Sequence, residues 1–274
     1  MYDLFRISVL VMARLVTGTQ NMMYQHVGCR YIAFILTFKV NVNVICMAVH
    51  SSSMRYKAVG FDLDGTLVNT HVDYDNLNSV NEYILRPLGF PVEEIWEDRD
   101  RRSRQPLYDW LKNNGRASEI ERLDKLLDDR CLAIEKLGAE GSSVFNGIVD
   151  TLRWLKESGV KLGLVTRGGH EYAMLVLSEY GLLEFFDVIQ GRDDFGYQDA
   201  KPSPKAMYHL AEALEVELSD LLYVGDSPTD YISARDANVD YAGVMTGGGS
   251  VELWSSMDPK IHIIPSAADV RSLM

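Results

Sequence analysis

From Lys57 onward, short apolar runs alternate with segments of helical period, and this alternation narrows the fold more than any other feature. The apolar runs are Lys57–Leu63, Lys161–Thr166, Phe186–Gln190, Leu221–Gly225 and Tyr241–Met245. Each is short enough for a buried strand, and most are followed directly by Asp, Thr or Gly. Between them, Val149–Glu157, Glu171–Tyr180, Pro204–Leu214 and Thr229–Ala237 carry the spacing of amphipathic helices. Ser203-Pro204 and Ser227-Pro228 each offer a serine cap followed by proline at the first helical position. Strands alternating with helices predict βαβ units, and hence an α/β fold whose parallel sheet is covered by helices on both faces.

One stretch breaks the pattern. Residues 70–145 contain no strand-like run but several helical ones, among them Tyr74–Leu85, Val92–Arg99 and Ile120–Leu137. Placed directly after the first strand, they predict a separate helical subdomain. The core is then formed by residues 54–69 and 146–274.

Charge divides the chain differently. Residues 1–53 hold one acid, Asp3, against Arg6, Arg14, Arg30 and Lys39, so the net charge of −12 is +3 there and −15 over residues 54–274. An acidic body of this kind argues against nucleic-acid binding by bulk charge, which needs a basic face. Cys29, Cys46 and Cys131 are widely spaced. They predict neither a disulfide framework nor a zinc site, and point to a reducing, cytoplasmic setting.

Three readings of residues 1–53 compete. Met54-Arg-Tyr-Lys is how a compact domain would begin, which favours an upstream extension with little structure, outside the working protein. An acid-poor, Arg-bearing leader also fits organelle targeting, although serine is confined to Ser8 and Ser51–Ser53. Membrane attachment is disfavoured. A span needs about 20 apolar residues, and the best window, Tyr31–Val49, carries Lys39, Asn41 and Asn43 at its middle. A central lysine costs about 2.5–3.5 kcal/mol on insertion.

In an open parallel sheet, ligands bind beyond the carboxyl ends of the strands. The residues at those ends are Asp62, Asp64 and Thr66 after the first strand, Thr166-Arg167-Gly168-Gly169 after the second, and Asp226, Ser227 and Asp230 after the fourth; Lys201 precedes a helix start. Asp62, Asp64 and Asp226 are hard oxygen donors that suit Mg²⁺. Mg²⁺ with Lys201 would neutralise a phosphoryl group, and Thr166 with its glycines can donate hydrogen bonds at a helix N-terminus. A carboxylate can be the nucleophile, through an aspartyl-phosphate. A calcium loop is the plain alternative for Asp62 and Asp64. An EF-hand loop, however, needs glycine at its sixth position, whereas Gly65 is fourth counting from Asp62. Asp230 could be only a first-turn acid favourable to the helix dipole, Lys201 a surface lysine, and Thr166 a strand end.

With these residues in view, Phe61-Asp62-Leu63-Asp64-Gly65-Thr66-Leu67-Val68 resembles the first motif of the haloacid dehalogenase-like hydrolase superfamily. Thr166 after Leu164-Val165 resembles its second, Lys201-Pro202 its third, and Gly225-Asp226-Ser227 with Asp230 its fourth. The order is right, and the resemblance spans residues 54–274. It implies a Rossmann-like core and, in residues 70–145, the helical cap of the phosphoglycolate phosphatase-like branch. It also implies that Asp62 is the nucleophile and Asp64 the general acid and then base. Thr166 and Lys201 would hold the phosphoryl oxygens, and Mg²⁺ would sit on Asp62, Asp226 and the Asp64 backbone carbonyl. Asp230 would orient Lys201 or metal-bound water. Two departures stand out. Arg167 occupies a place where the family more often has a small or amide residue, so it is an added candidate for phosphate binding. Members also commonly begin near the position of Met54.

The implied function is a Mg²⁺-dependent phosphatase for a small phosphorylated metabolite, phosphoglycolate-like or a sugar phosphate, working as a monomer or homodimer. The alternatives are a phosphomutase, a non-catalytic phosphate-binding module, and a phosphatase tethered through residues 1–53. Arg99, Arg101, Arg102 and Arg104 could grip an anionic leaving group, but read more simply as a helix face paired with Glu97, Asp98 and Asp100. His71 and His170 lie near the strand-end rim and read as ordinary loop and helix-start residues, while Gly247–Gly249 could approach the ligand but read more simply as a flexible turn.

Overall fold

The computed structural model describes residues 54–97 and 103–274, together with the backbone of residues 32–38 and 41–47. The chain divides into two units, Met1–Ser53 and Met54–Met274. In the first, β1 (Ile32–Phe38) and β2 (Asn41–Met47) pair as an antiparallel hairpin, from Ile32 opposite Met47 to Phe38 opposite Asn41. This hairpin takes up most of the window weighed as a membrane span. No helix of the described residues is long and apolar enough to cross a membrane. The rest of residues 1–53, on which the extension and targeting readings fall, lies outside the described residues.

The second unit opens with β3 (Ala58–Phe61), which lies between β6 (Lys161–Val165) and β8 (Leu221–Gly225) in a parallel six-stranded sheet. β7 (Val188–Gln190) extends the sheet on one side, and β9 (Asp240–Val244) and β10 (His262–Ile264) on the other. The strand order is β10-β9-β8-β3-β6-β7, so the chain winds outward from β3 in one direction and then returns to wind in the other. The carboxyl end of β3 is therefore the switch point of the sheet, where a crevice opens. β10 is a sixth strand beyond the five the sequence predicts; it is three residues long, too short to announce itself by pattern.

Alternate residues of the central strands face opposite layers. Val59, Phe61, Leu162, Leu164, Leu222 and Val224 pack against α5 (Ile148–Glu157) and α6 (His170–Glu179). Ala58, Leu221 and Tyr223 face α7 (Lys205–Ala213), α8 (Pro228–Asp236) and Trp254 of α9 (Val251–Met257). On that second face two glycines matter. Gly60 and Gly163 are paired in register, and Leu210 of α7 packs so close that a Cβ on Gly60 would lie 2.6 Å from its Cδ2. A Cβ on Gly163 would run into the same side chain. Two missing side chains thus form the groove that seats α7.

Between β3 and β6 lies the helical insert: α1 (Tyr74–Leu85), α2 (Val92–Trp96), α3 (Gln105–Asn113) and α4 (Ile120–Ala139). It has its own apolar cluster, including Val80, Trp96, Leu107, Leu123 and Leu127. Two short strands, β4 (Val68–Asn69) and β5 (Ser143–Val144), pair antiparallel where the chain leaves and re-enters the core. Of the two serine-proline starts, one forms as expected. Ser227 caps α8 as predicted, with Pro228 first, whereas α7 begins at Lys205 and Pro204, not Ser203, is the residue before it.

Gly163→Ala should lower the unfolding free energy by about 1–3 kcal/mol through overpacking against Leu210. The reading is a lower urea midpoint at unchanged slope. An unaltered midpoint would mean that α7 can withdraw from the sheet without loss.

Candidate active site

Three strand ends converge at the switch point. Asp62 follows β3 directly, its backbone N–H donating to Val224 O at 2.9 Å. Thr166 follows β6, its N–H donating to Gln190 O at 2.9 Å, and Asp226 follows β8. Asp62 and Asp226 are each 7% exposed, Lys201 is 3% exposed and Asp230 is fully buried. Charges so removed from water persist only if paired and hydrogen-bonded.

Lys201 provides the pairing. Its Nζ donates to Asp62 Oδ1 at 2.6 Å, to Asp230 Oδ1 at 2.5 Å and to the Tyr223 hydroxyl at 2.9 Å. Tyr223 in turn donates to Val165 O at 2.8 Å. Burial alone would push the Lys201 ammonium down, but Asp230 and Asp62 outweigh it and hold it above its ordinary value. Asp230 serves two partners with its two oxygens. While Oδ1 takes Lys201, Oδ2 accepts from Ser227 N–H at 3.0 Å and Ser227 Oγ–H at 2.8 Å, completing the capping box of α8. The first-turn acid and the lysine partner are therefore one residue.

Asp226 accepts from Thr66 Oγ1 at 3.2 Å and from Gly248 N–H at 2.7 Å. Gly65 (φ +81°) and Gly247 (φ +58°) meet back to back beside it, and a Cβ on either would run into its carboxylate. Of the two sequence readings of Gly247–Gly249, a flexible turn or an approach to the ligand, the second fits the placement of Gly247 and Gly248 in the cavity lining. Asp64 Oδ1 accepts from the Tyr172 hydroxyl at 2.5 Å and from Thr70 Oγ1 at 2.7 Å. Burial pushes the Asp64 carboxyl up, and these two hydroxyls pull it part of the way back.

Asp62, Asp226 and Asp230 bring carboxylate oxygens within 4.8 Å of one another. Three carboxylates against the Lys201 ammonium leave two negative charges uncompensated, the charge of a divalent cation. The electrostatics register that excess. Burial, with neighbouring carboxylates adding to it, pushes Asp62 well up despite Lys201, and burial and Asp230 push Asp226 up to about 6. A compact all-oxygen set with unbalanced charge fits Mg²⁺ in kind.

Asp62, Asp64, Lys201 and Asp226 line one side of a cavity of about 680 Å³ that also reaches Thr166, Arg167 and Gly168. Thr166 Oγ1 accepts from Gly168 N–H at 2.9 Å. The far side belongs to the insert, through Tyr74, Asn81, Arg104, Cys131 and Glu135. Arg104, nearly fully buried, donates to Asp124 Oδ1 at 3.1 Å and Asp128 Oδ1 at 2.9 Å, and stacks 3.8 Å over the Tyr197 ring. Arg99, Arg101 and Arg102 lie outside the described residues. Glu135 of α4 forms a buried ion pair with Arg192, accepts from Gly169 N–H at 3.4 Å, and Arg192 also donates to Arg167 O at 3.1 Å. His170 starts α6 with Nδ1 2.8 Å from Asp194 Oδ2, and His71 Nε2 lies 3.2 Å from Gly141 O. Tyr172 and Thr70 were absent from the sequence-level candidates, as were Glu135 and Arg192. Of these, only Tyr172 carried a local signal, since it sits in the first turn of the helix after Thr166.

Comparison with known proteins agrees with this geometry. A family model for haloacid dehalogenase-like hydrolases matches residues 56–238. Phosphoglycolate phosphatase 1 of Pseudomonas aeruginosa is 31% identical over 205 residues, covering 70% of each chain. Pyrophosphatase PpaX of Halalkalibacterium halodurans is 28% identical over 202 residues, covering 70% of this chain and 84% of its own. Among solved structures, a hydrolase from Pseudomonas syringae superposes with a TM-score of 0.56 at 21% identity, over 79% of this chain and 96% of its own.

Charge crowding at the site has a measurable consequence. A carboxylate whose folded-state pKa lies above its unfolded value opposes folding as pH rises through that range, and the full cost is present above it. For Asp226 the range ends at about 6. Mg²⁺ should therefore raise the thermal midpoint more at about pH 7.5 than at about pH 5, where protons compete for the same oxygens. An equal rise at both values would place the cation elsewhere.

Proposed function

The chain belongs to the haloacid dehalogenase-like hydrolases and is a phosphoric monoester hydrolase of phosphoglycolate phosphatase-like type, and from that premise we propose that it hydrolyses a small phosphorylated metabolite through an aspartyl-phosphate on Asp62. The observation that carries the reading is the buried Asp62–Lys201–Asp230 array at the switch point, with Asp64 two residues on and Thr166 on the neighbouring strand end.

The roles follow from the placement of the groups. An oxygen of Asp62 attacks phosphorus, and the bond from phosphorus to the ester oxygen breaks. Asp64 gives its proton to that departing oxygen. Asp64 then takes a proton from water as the water attacks phosphorus, the aspartyl bond breaks, and inorganic phosphate leaves. Thr166, whose Oγ1 accepts from Gly168 N–H and so has its own proton to give, and Arg167 line the cavity as donors for the phosphoryl oxygens, with Lys201 beside Asp62. Asp62 and Asp226, with the Asp64 carbonyl, would hold Mg²⁺, which when bound neutralises phosphoryl charge. Asp230 keeps Lys201 charged and in place. The insert, residues 70–145, acts as a cap over the leaving-group half of the cavity and excludes water from it. Phosphoglycolate heads the candidate substrates because the relative from P. aeruginosa bears that name. Pyrophosphate follows for the same kind of reason.

A panel of phosphate esters including phosphoglycolate, sugar phosphates and pyrophosphate, scored by kcat/KM with Mg²⁺, tests the proposal. Turnover should be lost on chelation with EDTA and regained with Mg²⁺. Asp62→Asn should lose more than about 10³-fold in kcat while keeping its thermal midpoint within a few degrees. A wild-type protein inert across the panel would point instead to a binding module. Phosphoryl return to a sugar faster than phosphate release would point to a mutase.

A further inference from the structure

Two hydroxyls meet on a single oxygen of Asp64. Tyr172 donates to Oδ1 at 2.5 Å and Thr70 donates to the same atom at 2.7 Å. The donors come from separate parts of the fold. Tyr172 is the third residue of α6, which starts where the Thr166–Gly169 loop ends. Thr70 follows β4, where the chain leaves the sheet for the helical insert. Tyr172 is fully buried, and its ring lies against Gly168 so closely that a Cβ there would sit 2.6 Å from Tyr172 Cδ1. The phenol is thus fixed in position by the same loop that carries Thr166.

This arrangement distinguishes the two oxygens of one carboxyl group. A general acid must present its proton in one direction, toward the leaving oxygen, whereas an unrestrained carboxyl turns about its Cβ–Cγ bond. An oxygen that already accepts two O–H donors has its lone pairs engaged. The proton therefore belongs on Oδ2. We propose that Tyr172, supported by Thr70, is a positioning residue that fixes the orientation of Asp64, so that Oδ2 carries the proton passed to the leaving group. The inference rests on the reading of Asp64 as general acid. It adds a tyrosine of α6 to the machinery of proton transfer, acting through Asp64 and not on the substrate.

Leaving-group dependence separates this role from a packing role. The full chain is assayed with Mg²⁺ as wild type, Tyr172→Phe, Asp64→Asn and the double variant. The two substrates are p-nitrophenyl phosphate, whose leaving group departs without a proton, and the alkyl phosphate ranked first in the panel. Tyr172→Phe keeps the ring against Gly168. Its kcat/KM on the alkyl ester, which covers the transfer to Asp62 and not the later attack of water, should fall about 10- to 100-fold, a part of the roughly 10²–10⁴ that general acid–base catalysis supplies. On the aryl ester kcat/KM should fall less than about 3-fold, and the alkyl-to-aryl ratio of kcat/KM is the quantity compared. In the Asp64→Asn background the same change should leave the alkyl-to-aryl ratio where it was. Thr70→Val, at a partly exposed site, should shift the ratio in the same direction and carries the test independently. Equal losses on both esters, or an unchanged ratio, would overturn the positioning role while leaving the phosphatase reading intact. Absence of wild-type turnover on both would overturn the phosphatase reading itself.

Discussion

A lysine ammonium buried among carboxylates is the constraint on which the rest of this structure depends. Lys201 uses its three N–H groups on Asp62, Asp230 and Tyr223, and each partner is anchored elsewhere. Asp62 is held by the β3–β8 ladder, Tyr223 by Val165 on β6, and Asp230 by the first turn of α8. Removing Lys201 would leave Asp62 and Asp230 buried with no cation between them, which is the costly way to break a buried pair. With Asp226 beside this array, carboxylates outnumber the ammonium three to one. The array is stable enough to fold, yet its upward-shifted carboxylates retain the means to take a cation.

Topology explains why these groups meet although Asp62 and Asp226 are far apart in sequence. Parallel strands point their carboxyl ends the same way, and β3 lies between β6 and β8, so the residues that follow all three strands share one rim. Small residues then allow close approach. Gly60 and Gly163 let α7 settle on the sheet, and Gly65 and Gly247 let two loops close around Asp226. Side chains at these four places would separate the elements whose ends form the site.

What the sequence disclosed follows the range of each interaction. Strands and helices of the core were legible because their signal is local and periodic, as was the set Asp62, Asp64, Thr166, Lys201, Asp226 and Asp230, which sits at predicted element ends. Asp230 looked like a choice between helix cap and lysine partner, and its two oxygens make it both. Elements with little pattern escaped notice: β10 is three residues long, and α9 follows a glycine-rich turn. Glu135 and Arg192 form a buried pair across 57 positions, and nothing in either neighbourhood announces the other. Tyr172 was hidden differently, since an aromatic residue in a helix's first turn reads as core, and its ring is indeed buried there.

The cations on the insert side of the cavity bear on how an acidic protein accepts a phosphate ester. Arg104 is engaged by Asp124 and Asp128, and Arg192 by Glu135, so each guanidinium faces the cavity with its charge already offset by an acid. Little of the attraction for a phosphoryl group can therefore come from these two. It has to arise at the strand ends, from the Thr166–Gly169 loop and the cation the carboxylates would hold. Arg104 and Arg192 serve geometry instead. Glu135 touches Gly169, and Arg192 touches the carbonyl of Arg167, so the insert braces the loop that lies beside the phosphoryl position. Withdrawing α4 would break a buried ion pair and release that loop at the same time. The insert and the loop after β6 are thereby held by one buried ion pair.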